Sequence, residues 1–214
     1  LMSDFIQISE GTYSPLTCFM NHAEMTNVLE KNHLINGEVW TLPILFQINA
    51  ELIKEIPNEG LITIKSKNSS KIRGVININK IEKLQNPQLL AKKWFGTDDK
   101  NHPGVSKFLN GGEFILCGQP YLIKENMQNT FPHYVLSPKQ TREIFNHNGW
   151  HDIIGFHTRN VIHRGHEYIQ KKALEDTNAD AIFISPVTGI KKRGDFTSDI
   201  IISCYEKLIQ NNVY

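Results

Sequence analysis

Apolar residues follow two rhythms along this chain. Between about residues 35 and 125 they come in short β-type runs: Trp40-Thr-Leu-Pro-Ile-Leu-Phe-Gln-Ile48, Leu61-Ile-Thr-Ile-Lys65, Arg73-Gly-Val-Ile-Asn-Ile78 and Glu113-Phe-Ile-Leu-Cys117. Asn68-Ser-Ser70 and Asn110-Gly-Gly112 are turn signals between them. The pattern predicts a small, mainly β domain with helices over 22–31 and 87–95, the second entering a loop at 96–99.

From Ser137 the rhythm changes. Ser137-Pro-Lys-Gln140 has the form of a helix start, with serine available as cap and proline in the first turn. The spacing predicts a helix over 139–147 that stops at Asn148-Gly149, then a strand over 152–156. A helix to about 176, a strand over 181–185 and a helix near 198–210 follow. Ile201, Cys204, Tyr205 and Leu208 share one face of the last helix. Strands that are apolar throughout and alternate with helices predict a parallel sheet in a doubly wound α/β domain. The expected division is 1–134 and 135–214.

Ligands of such domains bind at the carboxyl ends of strands. There the chain reads Gly155-Phe-His-Thr-Arg-Asn-Val-Ile-His-Arg-Gly-His-Glu-Tyr-Ile169. Within ten positions lie His157, His163, His166, Arg159, Arg164, Thr158 and Asn160. At a helix N-terminus, imidazoles, guanidinium groups and unpaired backbone N–H groups together favour an anion. His163-Arg-Gly-His166 is an HxGH sequence, a pattern suited to phosphoryl or nucleotidyl transfer, where stabilisation of charge does most of the work. Gly165 would let a phosphate approach the backbone without a Cβ in the way. Arg159 has the planar fork that grips a tetrahedral oxyanion. Asn160 is placed to cap the following helix, a role compatible with ligand binding.

Lys191-Lys192-Arg193 reads equally as a phosphate-reaching loop and as a solvated basic loop. His102-Pro-Gly-Val105 reads as a turn with packing value, and Trp40 and Trp150 as core or interface residues. His22, His33, His133, His147 and His151 have no metal-ligand spacing, and no protein metal site is expected.

Thr158-Arg-Asn-Val-Ile-His-Arg-Gly-His-Glu-Tyr168 closely resembles the active-site segment of the ATP sulfurylase (sulfate adenylyltransferase) family, Gln-Thr-Arg-Asn-Pro-x-His-Arg-Ala-His-Glu-Tyr. Gly11-Thr-Tyr-Ser-Pro-Leu-Thr-Cys-Phe-Met20, Gly37-Glu-Val-Trp-Thr-Leu-Pro-Ile44, His102-Pro-Gly-Val105 and Pro186-Val-Thr-Gly-Ile-Lys-Lys-Arg-Gly-Asp195 resemble further family segments, in the family's order. The resemblance implies an N-terminal PUA-like β-barrel domain, then a truncated Rossmann-like nucleotidyltransferase domain. The implied reaction is ATP + sulfate ⇌ adenosine 5′-phosphosulfate + pyrophosphate, with ATP as substrate and Mg²⁺ chelated mostly by its phosphates. By position, His157 and Arg159 would hold sulfate. His157, Thr158, Arg159, Asn160, His163, Gly165 and His166 would contact ATP. Thr158, Arg159, Asn160, His163 and His166 would be catalytic.

The chain departs from the family pattern at Cys18 (usually glycine), His157 (glutamine), Val161 (proline) and Gly165 (alanine). Two other readings therefore remain open: a nucleotidyltransferase of the same fold acting on another anion, and a non-catalytic nucleotide-binding fragment. Family members continue well past residue 214, so a piece of a longer protein is expected.

Lys and Arg total 23 against 22 Asp and Glu, so no global field argues for nucleic acid or a membrane surface. Small-molecule partners are expected, and a homo-oligomer is compatible with them. The three cysteines, Cys18, Cys117 and Cys204, form no CxxC pair, which fits a reducing cytoplasm. Leu1-Met-Ser-Asp4 reads as no signal peptide, and no run reaches the ~18 apolar residues of a membrane span.

Overall fold

The computed structural model describes residues 2–65, 71–123, 131, 133–189, 194–211 and 213. The chain forms two compact units, Leu1–Pro138 and Lys139–Tyr214.

The first unit opens with a helix that the sequence pattern does not announce, α1 (Met2–Ser9), which buries Phe5 and Ile8. Helix α2 (His22–Lys31) starts where Asn21 Oδ1 accepts from the Glu24 N–H at 2.8 Å, and ends at Asn32 in the left-handed region, φ 57°. The run expected as a strand over 40–48 pairs only at its end, as β1 (Gln47–Ile48). Pro43 lacks an N–H, and the segment bonds elsewhere: Ile44 O accepts from Met20 N, and Phe46 O from Leu116 N. A short α3 (Ala50–Ile53) leads to β2 (Gly60–Lys65) and the long β3 (Ile72–Lys83). The turn expected at 68–70 lies outside the described residues. Helices α4 (Pro87–Phe95) and α5 (Pro103–Leu109) precede β4 (Phe114–Leu122). At the segment read as a turn, His102 caps α5 by accepting from Val105 N–H.

The strands form an antiparallel sheet in the order β1-β4-β3-β2. β4 tolerates Pro120 because β1 pairs only with Phe114 and Ile115, so no described strand flanks Pro120 on that side. One core packs Phe5 and Ile8 of α1 and Val28 of α2 against Ile76, Ile78 and Leu116 of the sheet, with Phe19 and Phe46 edge to face at 5.1 Å. A second packs Met25, Leu90, Val105 and Phe108 against Ile115. The first core depends on a missing side chain: a Cβ on Gly74 would lie 2.3 Å from Tyr121 O and 2.6 Å from Phe5 Cζ. Gly74→Ala is expected to cost about 1–3 kcal/mol, the usual cost of overpacking, measured by denaturant unfolding.

The second unit runs α6 (Pro138–Asn148), β5 (Ile153–Thr158), α7 (Arg164–Thr177), β6 (Ala181–Pro186) and α8 (Ser198–Gln210). β5 and β6 are parallel, in register from Ile153↔Ala181 to Thr158↔Pro186. Gly149 (φ 69°) ends α6 and Asn178 (φ 53°) ends α7, both in the left-handed conformation that stops a helix. Asp180 ties together the starts of both strands by accepting from His151 N (2.7 Å) and Asp152 N (3.0 Å). These bonds hold its carboxyl below the usual range. Helix α8 buries Ile201, Ile202 and Tyr205, and the Tyr205 hydroxyl faces Gln170, the buried residue of α7.

Candidate active site

The parallel pair fixes the turn that follows β5. Thr158 closes the strand and is buried, with two bonds that hold the chain beyond it. Its Oγ1 accepts from Asn160 N (3.2 Å), and its carbonyl accepts from Val187 N (2.8 Å), past the end of β6. Strand alternation sends His157 to the opposite face, where it is exposed. His157 and Thr158 therefore do not share a surface, and the Thr158 hydroxyl is committed to the backbone.

Arg159 and Asn160 are exposed at the turn. Arg159 Nη2 donates to Asp195 Oδ2 at 3.0 Å, joining the end of β5 to the segment before α8. The arginine side chain is 54% exposed, so this pair contributes at most about 1 kcal/mol. An incoming tetrahedral anion can compete for the guanidinium. Asp195 carried no assigned role in the sequence; its signal was that it is the only acid between Val187 and Asp195. Lys191, Lys192 and Arg193 lie outside the described residues.

Helix α7 is capped by His163, not by Asn160. The His163 backbone is extended (φ −144°, ψ 171°), and its Nδ1 accepts from Gly165 N–H at 3.1 Å. Asn160 instead gives its own N–H to Thr158, three residues too early to reach the helix. The cap sets the His163 tautomer: with Nδ1 accepting, the neutral ring carries its proton on Nε2, and that outer nitrogen is a donor. The ring stacks on His166, centroids 3.9 Å apart and 25° between planes. Phe156 of β5 meets the other ring edge to face at 5.6 Å.

Burial, and after it the neighbouring His163, lowers the His166 pKa below the ordinary imidazole value. His166 Nδ1 is buried with no hydrogen-bond partner among the described residues. A histidine whose folded pKa is depressed binds protons more readily when unfolded. Its effect on stability is absent above the unfolded value of ~6.5, and stability falls as pH drops below it, until the folded value is passed. The His166 ring should titrate below free imidazole by NMR, and His166→Gln should flatten that acid-side loss of stability.

Gly165 serves the cap. A Cβ there would lie 3.0 Å from His163 Cε1 and 3.2 Å from its Nδ1. Gly165→Ala is expected to change stability by less than ~1 kcal/mol, since helix propensity gained offsets crowding. It should visibly shift the His163 imidazole resonances.

The turn and the helix start that follows it carry a guanidinium, two stacked imidazoles and the positive end of a 14-residue helix. They suit phosphate or sulfate oxygens. They suit a divalent cation poorly, because the one carboxylate at the turn, Asp195, already faces Arg159. Among the described residues no three His, Cys, Asp or Glu side chains converge as a metal centre would need. A shallow groove on α7, lined by Arg164, Glu167, Tyr168, Lys171, Lys172 and Glu175, takes in neither His163 nor His166. Its lysines are paired, Lys171 with Glu167 (2.9 Å) and Lys172 with Glu175 (3.8 Å) and with Asp176 beside the groove (2.7 Å). That face is a solvated helix surface. No helix among the described residues is long and apolar enough to cross a membrane.

Residues 1–125 match the family model described as PUA-like domain, and residues 132–214 match the ATP-sulfurylase model. The sulfate adenylyltransferase of Trichormus variabilis is 36% identical over 98% of this chain and 53% of its own length. That of Ignicoccus hospitalis is 38% identical over 99% of this chain and 54% of its own. That of Pyrococcus abyssi is 36% identical, over 97% and 52%. The chain thus spans about half the length of these relatives. A solved structure, the hexameric APS kinase from Thiobacillus denitrificans, matches the fold with a TM-score of 0.68 and 16% identity, over 97% of this chain and 36% of that one. With a PUA-like domain followed by a nucleotide-binding α/β fold that carries the His163–His166 turn, the chain belongs to the ATP-sulfurylase family.

Proposed function

We propose that this chain carries the phosphate- and anion-binding turn of a sulfate adenylyltransferase, which transfers AMP from ATP to sulfate and releases pyrophosphate. One observation carries the reading most: His163 and His166 stack at the N-terminus of α7, directly beyond a parallel strand, in a chain whose relatives bear that name. The two domains of the reading are 1–134 and 135–214, and a compartment supplied with ATP, the cytoplasm, suits the reaction.

In this mechanism a sulfate oxygen attacks the α-phosphorus, a new P–O bond forms, and the bond to the pyrophosphate oxygen breaks. Arg159 releases Asp195 and grips sulfate through its fork, with exposed His157 as a second donor. Thr158 positions the turn through its two backbone bonds, and Asn160 adds a neutral donor. His163 Nε2–H, His166 and the α7 N-terminus face the phosphates, where negative charge grows as pyrophosphate leaves. Gly165 lets the phosphate chain approach while leaving room for the cap. Mg²⁺ would be held by the ATP phosphates and would supply charge neutralisation there; the donors at this turn offer it no ligand set of their own.

His157 stands where the family has glutamine, and it favours a second reading in which another oxyanion is the acceptor. Pyrophosphate release by the full-length protein from Mg-ATP, measured across a panel of oxyanions, separates the two. Sulfate giving the highest kcat/KM supports the first reading. Turnover with a different anion and none with sulfate overturns it.

A further inference from the structure

The fold brings together two cysteines that lie far apart in the sequence. Phe19 and Gly118 form an antiparallel bridge, with Phe19 N donating to Gly118 O at 3.0 Å. Side chains alternate along paired strands, so Cys18 and Cys117, each one residue before a bridge partner, project to the same face. There they are diagonal neighbours across the bridge, near enough for each sulfur to shift the other's pKa. Cys117 is buried within β4, opposite Lys80 of β3. Cys18 is half-buried, in a bend where the chain leaves the sheet. One thiol thus lies in a paired strand and the other in a bend. Both are free thiols in this structure.

The pair is electrically asymmetric. Interaction with Cys117 lowers the Cys18 pKa, against burial and Glu24, which act to raise it. Cys117 moves the other way: interaction with Cys18, burial, and the charges of Cys18, Glu82 and Glu24 all raise its pKa. Lys80 pairs with Glu82 and tempers that acid's field. One sulfur is therefore poised as thiolate and the other as the thiol that supports it. The position is also unusual for the family, since Cys18 stands where the resembling segment carries glycine.

We propose that Cys18 and Cys117 form a redox-responsive dithiol, in which Cys18 reacts with hydroperoxides and Cys117 closes the product as an intramolecular disulfide. In the first step the Cys18 thiolate attacks a peroxide oxygen. An S–O bond forms, the O–O bond breaks, hydroxide (or alkoxide) leaves, and sulfur is oxidised by two electrons to sulfenic acid. In the second step the Cys117 sulfur attacks the Cys18 sulfur. The S–S bond forms, the S–O bond breaks, and the departing oxygen leaves as water with the Cys117 proton. A dithiol reductant reverses the closure. The disulfide would tie the 11–19 segment to β4 across 98 intervening residues.

The test uses the reduced protein treated with hydrogen peroxide, with and without dimedone, followed by peptide mapping. The expected product is a peptide linking 18 to 117, two hydrogens lighter than the reduced pair and restored by dithiothreitol. In C117S, Cys18 should accumulate as its dimedone adduct. Cys204, half-buried on α8 in the other unit, is an internal control. Should C117S not fold, wild-type alkylation at neutral pH decides: Cys18 should react on the order of five-fold faster than Cys204, as a larger thiolate fraction outweighs lower intrinsic nucleophilicity. Absence of the 18–117 peptide in wild type, or Cys204 reacting ahead of Cys18, overturns the proposal.

Discussion

Replacing Arg159 by alanine is expected to lower kcat/KM for sulfate-dependent adenylyl transfer in the full-length protein by roughly 10²–10³, about 2.7–4 kcal/mol. That is the usual cost of removing one preorganised donor from a site where charge develops. Stability should change by no more than about 0.5 kcal/mol, because the side chain is half-exposed and its pair with Asp195 lies at the surface. Arg159→Lys keeps the charge but loses the planar fork, so it should recover only part of the loss. Steady-state kinetics with sulfate varied, alongside thermal unfolding, reads both effects. A variant that loses stability as well as activity would place Arg159 in the framework and not on the substrate.

Substitution of His163 should show two separable effects, since its two ring nitrogens do different things. Nδ1 caps α7 through Gly165 N–H, and Nε2–H is the outward donor. His163→Ala removes both: about 0.5–2 kcal/mol of stability for the cap, and roughly 10²–10³ in kcat for the donor. His163→Asn should separate them. Asparagine is among the best N-cap residues, so stability should return close to wild type. Its shorter amide does not reproduce the outer imidazole nitrogen, so the loss in kcat should remain. Recovery of activity together with stability in His163→Asn would make His163 a cap alone.

How far these sites could be read beforehand depended on whether their interactions were local. The β5–α7–β6 segment was legible because apolar runs bounded by Asn-Gly and by the polar turn leave one arrangement, and the HxGH sequence sits at its carboxyl edge. Helices α2 and α4 occupy the residues expected of them, 22–31 and 87–95. The run at 40–48 is apolar enough for a strand, but Pro43 removes a donor and only Gln47 and Ile48 pair. Helix α1 has only eight residues, four of them polar, and is held by burial of Phe5 and Ile8, which no local pattern reveals. The cap of α7 went to a histidine although Asn160 has the stronger intrinsic preference; Asn160 is too far from the first helical turn. The Asp195–Arg159 pair spans 36 residues, and the Cys18–Cys117 contact rests on strand register. Both are products of tertiary structure.

The turn after β5 is proposed to serve transfer of AMP to sulfate. The most direct measurement supplies the full-length protein with Mg-ATP and isotopically labelled sulfate, and asks whether the labelled sulfur appears on adenylate. Labelled adenosine 5′-phosphosulfate is expected with pyrophosphate in equal amount, strongly reduced in Arg159→Ala. Pyrophosphate without labelled adenylate, or label transfer indifferent to Arg159, would contradict it.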